Sequence, residues 1–145
     1  MMQALAIAVL FCVPSVIRPV WAETLAGPYP AEVLRVLDGD SFEARVHIWL
    51  DQDVTVIVRL RGIDAAELDA PCAPARLKAV LAKLVLSAAV ADGEVMLSAI
   101  SRDKYGGRVV AMALDANEQD MSATLMAAGL VRPYEGRRPD WCAGS

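Results

Sequence analysis

Asp40, Arg59, Asp64 and Glu67 fall inside one stretch of the chain, Val36 to Glu67. Asp38-Gly39-Asp40-Ser41 is a turn signal between two apolar runs, and Arg59 to Glu67 reads RLRGIDAAE. Asp40, Arg59, Asp64 and Glu67 are thereby expected near strand ends. A second segment, Asp103 to Arg108 (DKYGGR), supplies another arginine. Two aspartates can offer oxygen to a hard cation, which leaves one carboxylate to handle a proton. Two guanidiniums match the oxygens of a phosphate. Together these residue types point to cleavage of a phosphodiester. Each also has an ordinary role: Asp38-Gly39-Asp40 as a hairpin turn, Arg59 and Arg61 as solvated charges on an outer strand face, Glu67 as a cap, and Asp103 to Gly107 as another turn.

The elements that must position them follow from periodicity. Glu23 to Pro30 is a leader rich in proline and glycine, and Ala31 to Leu37 is a short apolar strand. Ser41 to Trp49 alternates, with Phe42, Ala44, Val46 and Ile48 on one face and Ser41, Glu43, Arg45 and His47 on the other. Val54, Val56, Val58 and Leu60 form the inner face of a third strand. Pro74 to Val90 reads as a helix, with Pro74 in its first turn and Leu77, Leu81, Leu84 and Ala88 at helical spacing. Two further strands, Glu94 to Ser101 and Arg108 to Asp115, flank the DKYGG turn. Asp120 caps a helix from Met121 to Ala128, which Gly129 ends. Val131 to Ser145, with two prolines, is expected to be irregular. The order β-β-β-α-β-β-α fits an α+β, mostly β domain: a five-stranded oligonucleotide-binding (OB-fold) barrel with two to three packed helices.

At 145 residues the chain has room for one domain. Its 56% hydrophobic content and mean hydropathy of +0.39 are inflated by the first residues, where Ala4 to Ile17 is an apolar run broken by Pro14. That run is short for a bilayer and is followed by Val20-Trp21-Ala22, so residues 1–22 read as a cleaved export signal, with an uncleaved anchor as the alternative. Cleavage would remove Cys12 and leave Cys72 and Cys142, an even pair that suggests a disulfide in an oxidising compartment; two separate thiols are the alternative. The formal charge is −4, and loss of Arg18 with the leader makes it one unit more negative. Affinity for nucleic acid must then come from local clusters: Arg59/Arg61, Arg102/Lys104/Arg108 or Arg132/Arg137/Arg138. The last cluster has a plainer reading as a solvated tail. His47 is the sole histidine and falls on a polar face, which disfavours catalysis that needs histidine.

Four segments, VLRVLDGDSF (Val33 to Phe42), RLRGIDAAE (Arg59 to Glu67), DKYGGRVVA (Asp103 to Ala111) and LMAAGLVRPY (Leu125 to Tyr134), resemble the motifs of the staphylococcal (micrococcal) nuclease family in the family's order. The resemblance implies a nuclease-like OB domain over 31–134, with 23–30 as leader and 135–145 as a C-terminal tail. It implies that Asp40 and Asp64, with the main-chain carbonyl of Ala65, hold Ca²⁺, and that Glu67 is the general base acting on water. It implies that Arg59 and Arg108 clamp the phosphate, and that Lys104, Tyr105 and Tyr134 contact substrate. The sequence departs from the family pattern at three places. Ser41 replaces a threonine, Ala65-Ala66 lacks the common proline before the glutamate, and Gly106-Gly107 puts one extra residue before Arg108.

The function expected is therefore an exported, Ca²⁺-dependent, monomeric phosphodiesterase acting on DNA or RNA, single strands preferred, with no stable membrane association once the signal is cleaved. The rival is a nuclease-like module of weak or lost activity that binds nucleic acid or protein. A glycosidase built on the Asp64/Glu67 pair is a third idea. It leaves both arginines unexplained, and 6% aromatic residues are few for a sugar cleft.

Overall fold

A computed structural model describes residues 23–143. The expected export signal, residues 1–22, lies outside them. In chain order the elements are β1 (Thr24–Leu25), β2 (Tyr29–Val36), β3 (Ser41–Trp49), β4 (Gln52–Leu60), β5 (Ile63–Ala65), α1 (Ala73–Ala89), β6 (Glu94–Arg102), β7 (Arg108–Leu114), α2 (Met121–Ala127) and β8 (Val131–Pro133).

β2, β3 and β4 form an antiparallel meander, and β6 pairs antiparallel with both β2 and β7. The ring closes where β4 pairs with β7 in parallel, from Ile57↔Arg108 to Leu60↔Ala111. The result is the expected five-stranded OB-type barrel, of mixed pairing, with two helices packed on it. That one parallel ladder places Arg59 of β4 opposite Val110 of β7, so the start of β7 and Arg108 come to the same barrel rim as Arg59. Alternation in β3 and β4 puts Phe42, Ala44, Val46, Val58 and Leu60 in the core with Leu97, Ala111, Met121 and Leu125. Burying a side chain such as Phe42 or Leu60 stabilises the fold by about 1.5–3 kcal/mol each. Ile48 and Val54, expected on the inner face, are instead largely exposed, because the β3–β4 hairpin runs on past the barrel wall.

Helix α1 forms where expected but turns the other way. Leu77 and Leu84 are each 60% exposed, and Leu81 is 40% exposed. The buried face is Ala75, Ala79, Ala82 and Leu86, two residues out of phase and so about 200° round the helix. The reason is close approach. A Cβ added at Gly39 would meet the Ala82 Cβ at 2.6 Å and the Ala65 Cβ at 2.9 Å, so only small side chains let α1 lie against the Asp38–Ser41 turn and β5. The helix thus forms the floor beneath the acidic residues.

The chain after α2 also differs from expectation. Asp120 caps α2 by accepting from the Ser122 and Ala123 amides, and Gly129 ends it at φ +67°. Val131–Pro133 then pairs as β8 with β5, with Asp64 opposite Arg132. Only three residues pair, one of them a proline, which gave no strand pattern to read. Beyond it, Cys142 is bonded to Cys72 at the start of α1, and Trp141 packs with Ala66, Ala70, Ala75 and Ala79. The tail is a strap fixed at both ends.

Candidate active site

The Asp38–Ser41 turn is locked before any ligand is considered. The Asp38 carboxylate accepts from the Asp40 amide at 3.0 Å, and the Asp40 carbonyl accepts from the Leu60 amide at 2.8 Å. These bonds aim the Asp40 carboxylate at β5, where Oδ2 accepts from the Ala65 amide at 2.9 Å while Oδ1 accepts from the Ser41 hydroxyl at 2.8 Å. Ser41 so keeps the hydroxyl that threonine would supply. Burial, with the nearby charge of Asp38, raises the Asp40 carboxyl to about 6. Its nearest cation, Arg59, stands 3.8 Å away. A desolvated carboxylate short of positive charge is suited to a cation.

Asp64 lies beneath it, fully buried. Arg59 donates to Asp64 Oδ1 at 3.0 Å and lies over the Tyr134 ring at 4.8 Å, which fixes the guanidinium in the plane of the cleft wall. On the neighbouring strand Arg108 forks onto Asp103, at 2.9 Å from Nε and 2.6 Å from Nη2, and stacks over Tyr105 at 4.9 Å. Lys104 reaches the Tyr134 hydroxyl at 3.3 Å. The extra glycine before Arg108 is accommodated in the turn itself, where Gly107 takes φ +80°. Arg59, Arg108, Lys104, Glu67, Asp40, Tyr105 and Tyr134 all face one cleft of about 240 Å³. Of the expected residues only Asp64 and Ala65 are set behind its surface. Arg61 takes no part. Its Nη2 donates to the carbonyls of Ala99 and Val110 and to Ser101 Oγ, tying β4 to β6 and β7.

Two residues of the C-terminal tail meet Asp64 in a way the sequence did not indicate: Arg138, read there only as part of a basic cluster or a solvated tail, and Trp141. Arg138 donates from Nε to Asp64 Oδ1 at 3.1 Å and from Nη2 to the Ala65 carbonyl at 3.3 Å, and its Nη1 pairs with Glu67. Burial works against its charge, but Glu67 and Asp64 outweigh that and raise its pKa. Trp141 donates from its indole to Asp64 Oδ2 at 3.0 Å. Asp64 therefore accepts from two arginines and a tryptophan. The signal available in the sequence was the cysteine pair: Cys72 follows Glu67 closely and Cys142 follows Arg138 closely, so a bond between them draws Arg138 to Glu67.

Across this geometry, a family model described as staphylococcal nuclease homologue matches residues 57–142. The chain belongs to that family. The match runs from β4 through Cys142, so it takes in Arg59, Asp64, Glu67, Arg108 and also Arg138 and Trp141. A comparison with curated proteins finds no match. Staphylococcal nuclease homologues are in general phosphodiesterases that act on nucleic acid and use Ca²⁺. Among the described residues no three histidine, cysteine, aspartate or glutamate side chains converge as a metal cluster. The disulfide suits an oxidising environment, and no described helix is long and apolar enough to cross a membrane.

Proposed function

We propose that this chain is an exported, Ca²⁺-dependent nuclease that hydrolyses phosphodiester bonds of DNA or RNA, acting as a monomer. The observation that carries the reading is convergence. Arg59 and Glu67 from one segment, Arg108 from a second and the buried Asp40 from a third face one cleft.

Each residue has a task set by its chemistry. Arg59 and Arg108 present planar forks from neighbouring strands to the oxygens of one phosphate, and their charge offsets what develops on those oxygens as the P–O bond breaks. Glu67, half exposed at the cleft mouth, accepts the proton of the attacking water. Asp40, Asp64 and the Ala65 carbonyl are the residues that would hold Ca²⁺, the first two supplying charge and the last a neutral oxygen. When bound there, Ca²⁺ would polarise a phosphoryl oxygen and add positive charge where the two arginines act. Tyr134 and Tyr105, already stacked on Arg59 and Arg108, offer faces to unpaired bases, which favours single strands. The signal at 1–22, cleaved before Glu23, would deliver the chain to the compartment where Cys72 and Cys142 pair.

One observation favours the second reading, a module that binds without cleaving. Glu67 pairs with Arg138 and Arg108 pairs with Asp103, so base and clamp are both engaged. Titrating a labelled single-stranded oligonucleotide while following its fragmentation separates the two. The nuclease reading expects binding followed by Ca²⁺-dependent cleavage that chelator stops. Binding with no cleavage above that of Glu67→Gln would favour the module.

A further inference from the structure

The strap that follows β8 carries a cation to the place where the metal's donors are. Arg138 touches three different groups with three different nitrogens: the Asp64 carboxylate, the Ala65 carbonyl and Glu67. Two of these are donors that would face Ca²⁺, and the third is the proposed base. We propose that Arg138 is a resident counter-cation of this site, so that a divalent ion gains Asp64 and the Ala65 carbonyl only by displacing it, and the C-terminal strap thereby sets the metal affinity of the enzyme. This inference rests on the nuclease reading above, in particular on Asp64 and Ala65 as ligands.

The arrangement around Arg138 makes it a built feature. On its N-terminal side the strap is held by the β5–β8 ladder and by the Tyr134 amide donating to the Gly62 carbonyl at 3.0 Å. On its C-terminal side Trp141 binds the second oxygen of Asp64, Arg132 lies over the Trp141 ring at 4.4 Å, and Cys142 is bonded to Cys72. Arg138 is suspended between these anchors, so its guanidinium is always close to Asp64 at high effective concentration. The side chain itself is 48% exposed and borders the open cleft, so it can swing outward without moving the strap. Asp64 cannot leave: it is buried and held by Arg59 and Trp141. Metal and the Arg138 guanidinium therefore contend for the same fixed oxygens, the Asp64 carboxylate and the Ala65 carbonyl, and their like charges add to the competition. Released from Glu67, the guanidinium also frees the base. Binding of metal and unmasking of Glu67 become one event.

The test is a calorimetric titration of Ca²⁺ alone into the full-length oxidised protein, comparing wild type with Arg138→Gln and Arg138→Lys. A second readout follows the Arg138 Nε–H resonance in wild type during the same titration. Loss of one or two charge-assisted hydrogen bonds from the competitor predicts Ca²⁺ affinity in Arg138→Gln higher by roughly tenfold or more. Arg138→Lys, which keeps the charge but not the fork, is expected between the two. The Arg138 resonance is expected to shift in step with saturation. Equal affinities in wild type and Arg138→Gln, or an unmoved resonance in Ca²⁺-saturated wild type, would overturn the proposal while leaving the nuclease reading intact. Weaker binding by Arg138→Gln would overturn it as well, since Arg138 would then support the metal. If neither form binds Ca²⁺ and neither cleaves DNA, the nuclease reading fails and the proposal with it.

Discussion

Asp40 is the residue whose cost to the fold is most visible. Its carboxyl is raised to about 6, first by burial and then by the charge of Asp38. A raised acid favours the folded state while protonated. Its stabilising effect is complete below the ordinary aspartate value near 4 and is lost as pH rises through about 6. Asp40→Asn should therefore raise stability in urea melts at neutral pH by about 1–3 kcal/mol, and give no gain near pH 4. No gain at neutral pH would mean that Arg59 already compensates the charge. The same substitution should abolish Ca²⁺ binding, which is the mark of a group retained for function at the expense of stability. Most of these residues could be read from the sequence because their motif fixes both type and spacing. Arg138 was read only as one of a basic cluster, and its place beside Asp64 and Glu67 was not legible, because a guanidinium in a proline-containing tail looks like any solvated charge until the disulfide is drawn.

At the scale of elements, helix α1 shows where periodicity misleads. The leucines at 77, 81 and 84 and the alanines at 75, 79 and 82 are both helical stripes, and hydrophobicity alone favours the leucines. The alanines are buried because the helix must approach the Gly39 turn more closely than leucine allows. Two substitutions separate these faces. Gly39→Ala places a methyl inside contact distance of Ala82 and Ala65, so it should destabilise by about 1–3 kcal/mol, measured by denaturant midpoint, and displace Asp40 with a loss of activity. Leu84→Ser on the exposed face should cost no more than about 0.5 kcal/mol and leave activity unchanged. A large loss from Leu84→Ser would show that the leucine face is buried in the working protein. The barrel strands were legible except at the end of the β3–β4 hairpin, where Ile48 and Val54 are exposed, since alternation with one polar face survives closure. The β5–β8 ladder was not, being too short to carry a pattern.

At the scale of the molecule, the barrel supplies a rigid rim and the strap completes the site upon it. The Cys72–Cys142 bond closes a loop of 70 residues. Loss of such a bond costs on the order of 4 kcal/mol in the chain-entropy model. Cys72→Ser with Cys142→Ser should accordingly lower the melting temperature by roughly 10–20 °C and loosen Trp141 from Asp64, seen as a shift in tryptophan emission. An unchanged melting temperature would show that the strap is held by Trp141 and β8 alone. The net charge of −4 sets the other molecular property. With Arg59, Lys104, Arg108 and Arg138 the basic side chains that line the cleft, oligonucleotide affinity should fall with salt as for only two to four phosphate contacts, a slope of roughly −1.4 to −2.8 for single strands.

The central claim is that Glu67 and the two rim arginines hydrolyse a phosphodiester in this cleft. The most direct measurement is release of acid-soluble nucleotides from single-stranded DNA by the oxidised protein with Ca²⁺ and with chelator, beside Glu67→Gln, Arg59→Ala and Arg108→Ala. The account predicts Ca²⁺-dependent release that falls on the order of 100-fold or more in each variant. Release that persists in chelator, or that Glu67→Gln and both arginine variants leave unchanged, would contradict it.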